Sequence, residues 1–365
     1  MEVRKIKVAF MLPTLHAGGA ERVISFISQN LNPADFDVKL LVTNNEDEAR
    51  YDVSGIEVVY LNKPQVRKSI GGIVRFLRKN KPDIVFSSLV HLNTVLSYIS
   101  PFFPKTLFIG RETFLRVNTE AYQSPKVGWF HSFIASVSYK LLDYIICQSI
   151  DMAKDLTDHY HIKPRKLRII NNPITNEGET GISERKLCPP ETAETVRFIT
   201  VGRLSRIKGI PRVLRMLATL DYDWSYTIVG SGEEKEDLEQ TVRELGIESR
   251  VRFIGYTSEI TELLTTHHYF LQGSYKEGFP NALLESCVAG TPIIVFDAPG
   301  GTREIVEQGV NGYLAQDESE FAEFLNRRSS FDPESVRESV LRKFGKKKII
   351  GEYEAFFKEI MRHQS

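Results

Sequence analysis

The chain contains the stretch Tyr269-Phe-Leu-Gln-Gly-Ser-Tyr-Lys-Glu-Gly-Phe-Pro-Asn-Ala-Leu-Leu-Glu285, in which a predicted strand, a tight turn and the start of a predicted helix follow one another. The apolar run at its beginning is typical of a strand end, and Gly278 permits a tight bend. Pro280 suits the first position of a helix, because its missing N–H would have no partner there in any case. The stretch therefore predicts one strand–turn–helix step of an α/β fold.

The start of this helix is a predicted anion site. Backbone N–H groups at Asn281 and Ala282 would point out of the helix N-terminus, where the positive end of the helix dipole favours a diphosphate. Glu277 lies at the mouth of that site, and Glu285 lies one to two turns into the helix, where a carboxylate can accept hydrogen bonds from a ribose diol. Acidic residues near a helix start are also common for electrostatic reasons alone, so the nucleotide-sugar interpretation needs a second element.

The second element is the stretch Val201-Gly-Arg-Leu-Ser-Arg-Ile-Lys-Gly209, which follows the predicted strand Val196–Thr200. Arg203 and Lys208 would project from the loop after that strand. In an open α/β sheet this loop lies at the carboxyl edge, where ligands bind. The two cations are therefore expected to face the same phosphates as the helix at Pro280, although ordinary surface charge is the alternative.

A glycine pair near the amino end marks a third loop. The predicted strand Ile6–Leu12 leads through Gly18 and Gly19 into a predicted helix, Ala20–Leu31. Glycines there let the backbone approach a ligand closely, although a plain helix-start turn is the alternative. The G-x-G-x-x-G dinucleotide fingerprint is absent, and no acidic residue ends the second predicted strand, so a nicotinamide dehydrogenase is disfavoured.

These motifs, in this order, resemble those of the family-4 retaining glycosyltransferases. That family has two Rossmann-like α/β/α domains facing across a substrate cleft, the GT-B fold. The resemblance covers nearly the whole chain, and its motifs are Gly18-Gly19, the Gly202–Gly209 stretch, Gly273-Ser274, the Glu277–Glu285 spacing and the pair Asn172-Pro173.

The resemblance also implies roles for the donor-side residues. It implies that Arg203 and Lys208 bind the donor diphosphate and that Glu285 binds the ribose hydroxyls. Glu277 would contact the transferred sugar and stabilise the positive charge that develops on it. The other implied donor-binding positions are Gly202, Gly278, Phe279, Asn281 and Ala282.

The first half of the chain is the implied acceptor side. The resemblance places Gly18 and Gly19 near the incoming acceptor oxygen. His91 follows a predicted strand and therefore faces the same edge. Many similar enzymes have a histidine there that touches the sugar, so we count His91 with the catalytic residues, although a lone histidine is usually structural. Arg111 and Glu112 occupy the same edge, where they either meet the acceptor or pair with each other.

Alternating strand-like and helical segments predict two domains of this kind. Seven mostly continuous apolar runs in the first half and six in the second are typical of buried parallel strands. We assign residues 1–173 to an acceptor-binding domain, residues 174–194 to a linker with several Gly and Pro, and residues 195–345 to a nucleotide-sugar-binding domain. A last helix in residues 346–365 is expected to cross back onto the first domain, as in GT-B enzymes.

Composition adds a charge asymmetry. Residues 1–170 contain 23 Lys and Arg against 16 Asp and Glu, whereas the rest contain 24 against 31. The segment Lys63–Lys81 has seven cations and no acid, with Ile70, Ile73, Val74 and Leu77 at helical spacing. The apolar stripe is expected to pack on the sheet, while the cations suit an anionic membrane surface or a lipid diphosphate. Nucleic acid is not a predicted partner, because base-reading or stacking residues do not accompany the cations.

The same composition predicts a cytoplasmic protein, peripheral on the inner face of the cell membrane. No run of 18 or more apolar residues is present, and the first residues show no signal-peptide layout. Cys147, Cys188 and Cys287 are scattered and form no C-x-x-C pair, which fits a reducing cytosol and argues against structural zinc.

The predicted reaction is a retaining, metal-independent glycosyl transfer. It moves a hexose or N-acetylhexosamine from a nucleotide-diphosphate sugar, expected to be UDP-linked, onto a growing surface glycan such as lipopolysaccharide or capsule. A polyprenyl-diphosphate-linked acceptor is one form of that glycan. The leaving diphosphate takes the acceptor proton, so no metal or other cofactor is required. Asp221-Tyr-Asp223 imitates an Asp-x-Asp metal motif but is expected to be a turn. The alternatives are a nucleotide-sugar epimerase of the same fold and a non-catalytic nucleotide-sugar-binding module; a pyridoxal-phosphate phosphorylase ranks last.

Overall fold

The computed structural model describes residues 4–16, 18–46, 49–51, 53–115, 129–178 and 188–364, with only the backbone for 129–133. The chain divides into two compact units. The first unit contains the described residues up to Leu115, those from Trp129 to Thr175 and those from Lys346 onward. The second unit contains the described residues from Asn176 to Gly345.

The first unit has a sheet of seven parallel strands in the order β3-β2-β1-β4-β5-β6-β7. The central strand β1 pairs with β2 on one side and with β4 on the other, and its last five residues are buried. A parallel sheet covered on both faces buries both sides of each strand, which accounts for the continuous apolar runs. The strands are β1 (Ile6–Leu12), β2 (Phe36–Val42), β3 (Glu57–Tyr60), β4 (Ile84–Ser88), β5 (Leu107–Arg111), β6 (Tyr144–Cys147) and β7 (Leu167–Ile169).

Helices cover both faces of this sheet. Helix α1 contributes Val23 and Ile27 to the core on one face, whereas Leu77 of α2 and Leu96 of α3 belong to the core on the other face. Each helix therefore buries one apolar stripe and leaves its polar side outward. The helices are α1 (Gly19–Asn30), α2 (Ile70–Asn80), α3 (Val90–Ile99), α4 (Trp129–Leu141) and α5 (Ile150–Tyr160).

The second unit has six parallel strands in the order β10-β9-β8-β11-β12-β13. These are β8 (Val196–Val201), β9 (Trp224–Val229), β10 (Val251–Ile254), β11 (Tyr269–Gln272), β12 (Ile293–Phe296) and β13 (Gly312–Ala315). Its helices are α6 (Ile210–Ala218), α7 (Lys235–Glu244), α8 (Ile260–Thr265), α9 (Asn281–Val288), α10 (Thr302–Ile305), α11 (Glu318–Arg327) and α12 (Pro333–Phe344). The ring of Phe296 stacks on that of Phe321 with 4.4 Å between centroids, which fixes α11 on the sheet. The two units confirm the predicted pair of Rossmann-like α/β/α folds.

The last helix, α13 (Lys346–Gln364), belongs to the first unit, although it follows the second in the chain. Its Phe357 ring lies 5.9 Å from the ring of Phe86 in β4 and 6.2 Å from that of Phe36 in β2. Tyr353, one turn earlier, lies edge-on to the same Phe86 ring at 5.7 Å. These buried aromatic contacts anchor α13 on the face that also carries α1.

The segment assigned to the linker is attached to the second unit where it is described. Arg328 donates hydrogen bonds to the carbonyls of Pro190 and Ala193, and His268 pairs with the carbonyl of Cys188 at 3.0 Å. Residues 188–193 of the predicted linker are therefore hydrogen-bonded to the second unit. Contacts of side chains to backbone carbonyls leave no pattern in the sequence, so composition alone suggested a linker.

Candidate functional site

Two loops of the second unit meet at the carboxyl edge of its sheet, one after β8 and one after β11. The Tyr275 N–H donates to the Ile207 carbonyl at 2.9 Å. Gly209 has a φ of +57°, and a Cβ on it would lie 1.9 Å from the Gly273 carbonyl oxygen. Only glycine fits at that approach, because any side chain would overlap the opposite backbone. The two motifs found separately in the sequence are thus in direct backbone contact.

A charged cluster forms where these loops touch, and we call Lys208, Ser274 and Glu277 the Glu277 cluster. The Lys208 ammonium and the Ser274 hydroxyl both donate to Oε1 of Glu277, each at 2.6 Å. The Glu277 side chain is 10% exposed and that of Lys208 is 29% exposed. Lys208 is therefore paired with Glu277 in the structure, whereas the sequence suggested separate roles for the two charges.

The helix that follows Glu277 begins one residue later than expected. α9 starts at Asn281, with Pro280 as the residue before its first turn and with no side-chain cap. The N-terminus of α9 therefore lies four residues after Glu277, and Glu285 is half-buried one turn further on.

The Phe279 side chain lies in the interior of the second unit. Its ring is buried and packs edge-on against Phe344 of α12, with 5.3 Å between centroids. A Cβ on Gly301 would lie 2.2 Å from the Phe279 ring, so the side chain fills the interior beneath this loop. The Phe279 side chain is therefore a packing group, and its backbone is the part that can serve the predicted donor-binding role. The neighbouring Gly278 carbonyl accepts from the Gly301 N–H at 3.1 Å.

Arg203 is exposed in the loop after β8, as is Arg206 in the same loop. A further glycine loop, which the sequence reading missed, supports its backbone. The Leu204 N–H donates to the Ser231 carbonyl at 2.9 Å, and a Cβ on Gly230 would lie 1.9 Å from the carbonyl oxygen of Gly202. The Gly-Ser-Gly run directly after β9 could have predicted this contact from the sequence, because glycines at a strand end allow close backbone approach.

Arg212 is a second residue that the sequence reading missed. Its guanidinium donates from Nε to the Gly273 carbonyl at 2.7 Å and from Nη2 to the Ser274 carbonyl at 2.6 Å. It also lies over the rings of Tyr275 and Phe296, at 4.5 and 3.6 Å from their centroids. Burial of the guanidinium lowers the pKa of Arg212 to about 10. Arg212 thus fixes the turn that carries Ser274. The one signal in the sequence for this role was the position of Arg212, one turn after Lys208.

In the first unit, Gly18 precedes α1, Glu21 lies on the first turn of α1, and His91 lies on the first turn of α3, after β4. We call these three residues the first-unit edge. A Cβ on Gly18 would lie 2.2 Å from Oε2 of Glu21. Glu21 is also close enough to His91 to act on its charge. Desolvation lowers the pKa of His91, and the negative charge of Glu21 offsets part of that effect. Gly19 is the first residue of α1.

Arg111 and Glu112 are both buried, at 1% exposure each, and they have different partners. Arg111 donates to the Asn172 side chain and to the Ser88 hydroxyl, whereas Glu112 accepts from the Tyr139 hydroxyl. Desolvation lowers the pKa of Arg111, and the neighbouring Tyr353 of α13 opposes this. Both side chains therefore support the strand ends from within and are not paired with each other through a hydrogen bond, and their contact with an acceptor stays a prediction.

The Asp221–Asp223 segment precedes β9, and the Asp223 carbonyl accepts from the Val196 N–H at 2.9 Å. Within the described part of the chain, no three His, Cys, Asp or Glu side chains are grouped as metal ligands would be.

Comparisons with known proteins identify the family of both halves of the chain. The family model described as Glycosyltransferase Family 4 matches residues 17–177, and that described as Glycosyl transferases group 1 matches residues 189–329. A relative from Campylobacter jejuni, named N-acetylgalactosamine-N,N'-diacetylbacillosaminyl-diphospho-undecaprenol 4-alpha-N-acetylgalactosaminyltransferase, is 25% identical over 350 residues, which is 91% of this chain and 92% of the relative. A lipopolysaccharide 1,6-galactosyltransferase from Salmonella typhimurium is 32% identical over 42% of this chain and 43% of its own length.

Solved structures share the fold over nearly the full length. The lipopolysaccharide outer core galactosyltransferase WaaB, in its apo form, superposes with a TM-score of 0.76 at 21% identity and covers 97% of this chain and 100% of its own. Anabaena HepE in complex with UDP gives a TM-score of 0.76 at 19% identity, with the same coverage. The two family models together span most of the chain, so this chain belongs to the family-4 glycosyltransferases of the GT-B fold and is a glycosyltransferase related to bacterial lipopolysaccharide and polysaccharide enzymes.

Proposed function

We propose that this glycosyltransferase moves a hexose or N-acetylhexosamine from a UDP-sugar to a lipid-linked surface glycan, with retention of anomeric configuration and without a metal. The observation that carries the proposal is the Glu277 cluster just before the N-terminus of α9. The lysine and the helix N-terminus offer positive charge to the diphosphate of a nucleotide sugar, and the carboxylate offers negative charge to its sugar.

The positive groups suit the diphosphate. Arg203 is exposed, and Lys208 exchanges its Glu277 partner for a phosphate oxygen when the donor enters. The first N–H groups of α9, at Asn281 and Ala282, add the helix dipole, and Glu285 on the next turn takes the ribose hydroxyls. Negative charge grows on the diphosphate as the sugar leaves, so these groups stabilise the transition state more than the bound donor.

The Glu277 carboxylate is the matching negative group. Once Lys208 turns to the phosphate, Glu277 keeps its bond from Ser274 and faces the sugar with its own charge. An oxocarbenium-like sugar carries positive charge, which a fixed carboxylate stabilises. The acceptor hydroxyl passes its proton to the departing diphosphate, so the scheme assigns no nucleophile and no metal to the chain.

The choice of UDP and of a lipid-linked acceptor draws on the relatives. HepE has been crystallised with UDP, and the Campylobacter relative is named for an acceptor on diphospho-undecaprenol. We extend both properties to this chain. Such an acceptor keeps the reaction at a membrane, and we place the protein on the cytoplasmic face as a peripheral enzyme. No helix in the described ranges is long and apolar enough to cross a membrane.

Nucleotide release by the purified chain tests the proposal. UDP- and GDP-linked sugars are offered in EDTA, with and without an extract of lipid-linked glycans, and the anomeric configuration of the product is read by NMR. We expect release of UDP that the extract stimulates, and a retained configuration. Conversion of the sugar to its epimer without nucleotide release would replace the transferase with an epimerase, and an inverted product would remove the proposed mechanism.

A further inference from the structure

The carboxylate of Glu21 occupies the space that a side chain at position 18 would need. Helix α1 starts at Gly19, and Glu21 is its third residue. A Cβ on Gly18 would lie 2.2 Å from Oε2 and 3.3 Å from Oε1 of Glu21. The backbone of Gly18 is extended, with φ −134° and ψ 149°, so its conformation does not require glycine. Glycine at this position therefore leaves room for the carboxylate.

The segment between β2 and β3 holds the start of α1 in place. The Tyr51 hydroxyl donates to the Gly18 carbonyl at 3.0 Å. The Arg50 N–H donates to the Leu15 carbonyl at 2.9 Å. These two hydrogen bonds tie the loop before α1 to a second loop of the first unit. The backbone that presents the Glu21 side chain is therefore fixed on both sides.

A purely stabilising role at the helix start is the alternative for Glu21. A glutamate at the third position of a helix often accepts from the N–H of the residue before the helix. The Gly18 N–H instead donates to the His16 carbonyl at 2.8 Å. In the part of the chain that the structure describes, the Glu21 side chain accepts one hydrogen bond, from the Thr14 hydroxyl to Oε1 at 3.4 Å. Glu21 is half-buried, so Oε2 can accept from a ligand.

The helix starts at the two carboxyl edges differ in charge. Helix α9 has no acidic residue in its first turn, so the positive end of its dipole is open to a phosphate. Helix α1 has Glu21 there, and this carboxylate also acts on the charges of His91 and of the buried Arg111. A negative group of a ligand near Oε2 would be repelled, whereas a hydroxyl can donate to it. The start of α1 therefore suits a neutral sugar better than a diphosphate.

We propose that the Glu21 carboxylate binds the acceptor sugar by accepting a hydrogen bond from one of its hydroxyl groups. A hydrogen bond to an ionised acceptor is about twice as strong as one between neutral groups, so the charge of Glu21 favours a hydroxyl-bearing sugar at this place. Glu21 orients the acceptor and takes no proton from it. The inference rests on the proposed function, because the acceptor is the glycan of that reaction, and it adds the residue that holds this glycan at the first-unit edge.

Isosteric amides test the charge of Glu21. Glu21→Gln is compared with Glu320→Gln, because Glu320 is also the third residue of its helix, α11, and accepts from the Gln316 N–H at 2.9 Å. The KM for an extract of lipid-linked glycans and the affinity for UDP are measured for both variants. We expect an about tenfold higher KM for Glu21→Gln with unchanged UDP affinity, and wild-type values for Glu320→Gln.

Two results of this comparison would overturn the proposal. The first is a KM that stays unchanged in Glu21→Gln or rises equally in Glu320→Gln, because Glu21 would then serve the helix and not the acceptor. The second is a lower KM in Glu21→Gln, because the carboxylate would then repel a phosphate of the acceptor instead of binding a hydroxyl.

Gly18→Ala tests the placement of the carboxylate without changing its charge. The added methyl group overlaps with Oε2 of Glu21, so the carboxylate must move and the KM for the extract should rise. Gly351→Ala is the control, because among the described residues a Cβ there would meet no neighbouring side chain within 4 Å. An unchanged KM in Gly18→Ala, or an equal rise in Gly351→Ala, would contradict the proposal.

Failure of this proposal is separable from failure of the proposed function. If the extract stimulates UDP release by the wild-type chain, the proposed reaction stands, and the KM values of the variants decide the role of Glu21. If the extract gives no stimulation, the proposed acceptor is wrong, and the role of Glu21 in binding it is wrong as well.

Discussion

The two units use their carboxyl-edge loops in different ways. In the second unit, loops after β8 and β11 meet backbone to backbone, and the charges of Lys208 and Glu277 pair within 2.6 Å at the surface of the contact. In the first unit, the Arg111 guanidinium at the end of β5 is buried and donates to the Ser88 hydroxyl at the end of β4, while Gly18 is half-buried and His91 is exposed. A paired charge can exchange its partner for a ligand, whereas a buried one is committed to the fold. We therefore expect chemistry to respond most to the second unit.

The largest expected effect comes from Glu277→Gln. The amide keeps the shape and the bond from Ser274 but removes the negative charge, so turnover should fall by about 10³-fold. UDP affinity should stay equal or rise, because Lys208 loses its competing partner. Single-turnover rates and UDP titration calorimetry measure the two quantities. A clear drop in UDP affinity would mean that Glu277 serves to hold the loop and not the charge of the sugar.

Lys208→Met and Arg203→Met separate a paired cation from an exposed one. Both should lower turnover by about 10²-fold if the two cations face the diphosphate. Lys208→Met should also leave the Glu277 carboxylate without its cation, and that carboxylate then repels the phosphates. Lys208→Met should therefore lose more UDP affinity than Arg203→Met. UDP affinity and turnover are measured for both variants. Near-normal turnover in either one would remove that residue from the proposed diphosphate site.

Arg212→Met tests whether a positioning residue supports the Glu277 cluster. Without the guanidinium the Gly273 and Ser274 carbonyls lose their donor, and the displaced turn should lower turnover by about 10- to 10²-fold. Arg328→Met is the matched control, because Arg328 also binds two backbone carbonyls and lies over the Tyr222 ring. Each variant should lose about 1–3 kcal/mol of stability, which thermal denaturation measures.

The two arginines should then differ in activity and in local protection. We expect Arg328→Met to keep normal turnover, and Arg212→Met to show faster amide hydrogen exchange at Tyr275 and Glu277. Equal activity losses in proportion to the stability losses would reduce Arg212 to a purely structural residue. Exchange is measured without substrate, so it tests the turn even if the assay donor is the wrong sugar.

The fold of both units could be predicted from the sequence, whereas the side-chain contacts of their edge loops could not. The continuous apolar runs and the glycines at strand ends predicted both sheets and the loops at their carboxyl edges, because burial and backbone conformation leave local patterns. The pairing of Lys208 with Glu277, the hold of Arg212 on Gly273, and the inward direction of Phe279 and Arg111 were not predictable. Each depends on which way a side chain turns between loops that are far apart in the chain.

The first-unit edge gives the smallest expected effect, which is seen in the pH profile. Desolvation lowers the pKa of His91 from its ordinary 6.5, so the ring is neutral at pH 7 and gains a proton only in more acidic solution. If the neutral ring contacts the sugar, kcat/KM should fall as the pH is lowered and the ring becomes protonated. The variant His91→Gln should have about tenfold lower kcat/KM at pH 7, and its kcat/KM should no longer fall in acid. His363→Gln, on the exposed end of α13, is the control and should keep the wild-type profile. If kcat/KM of His91→Gln still falls in acid as in the wild type, another group causes that fall, and His91 is a structural residue of α3.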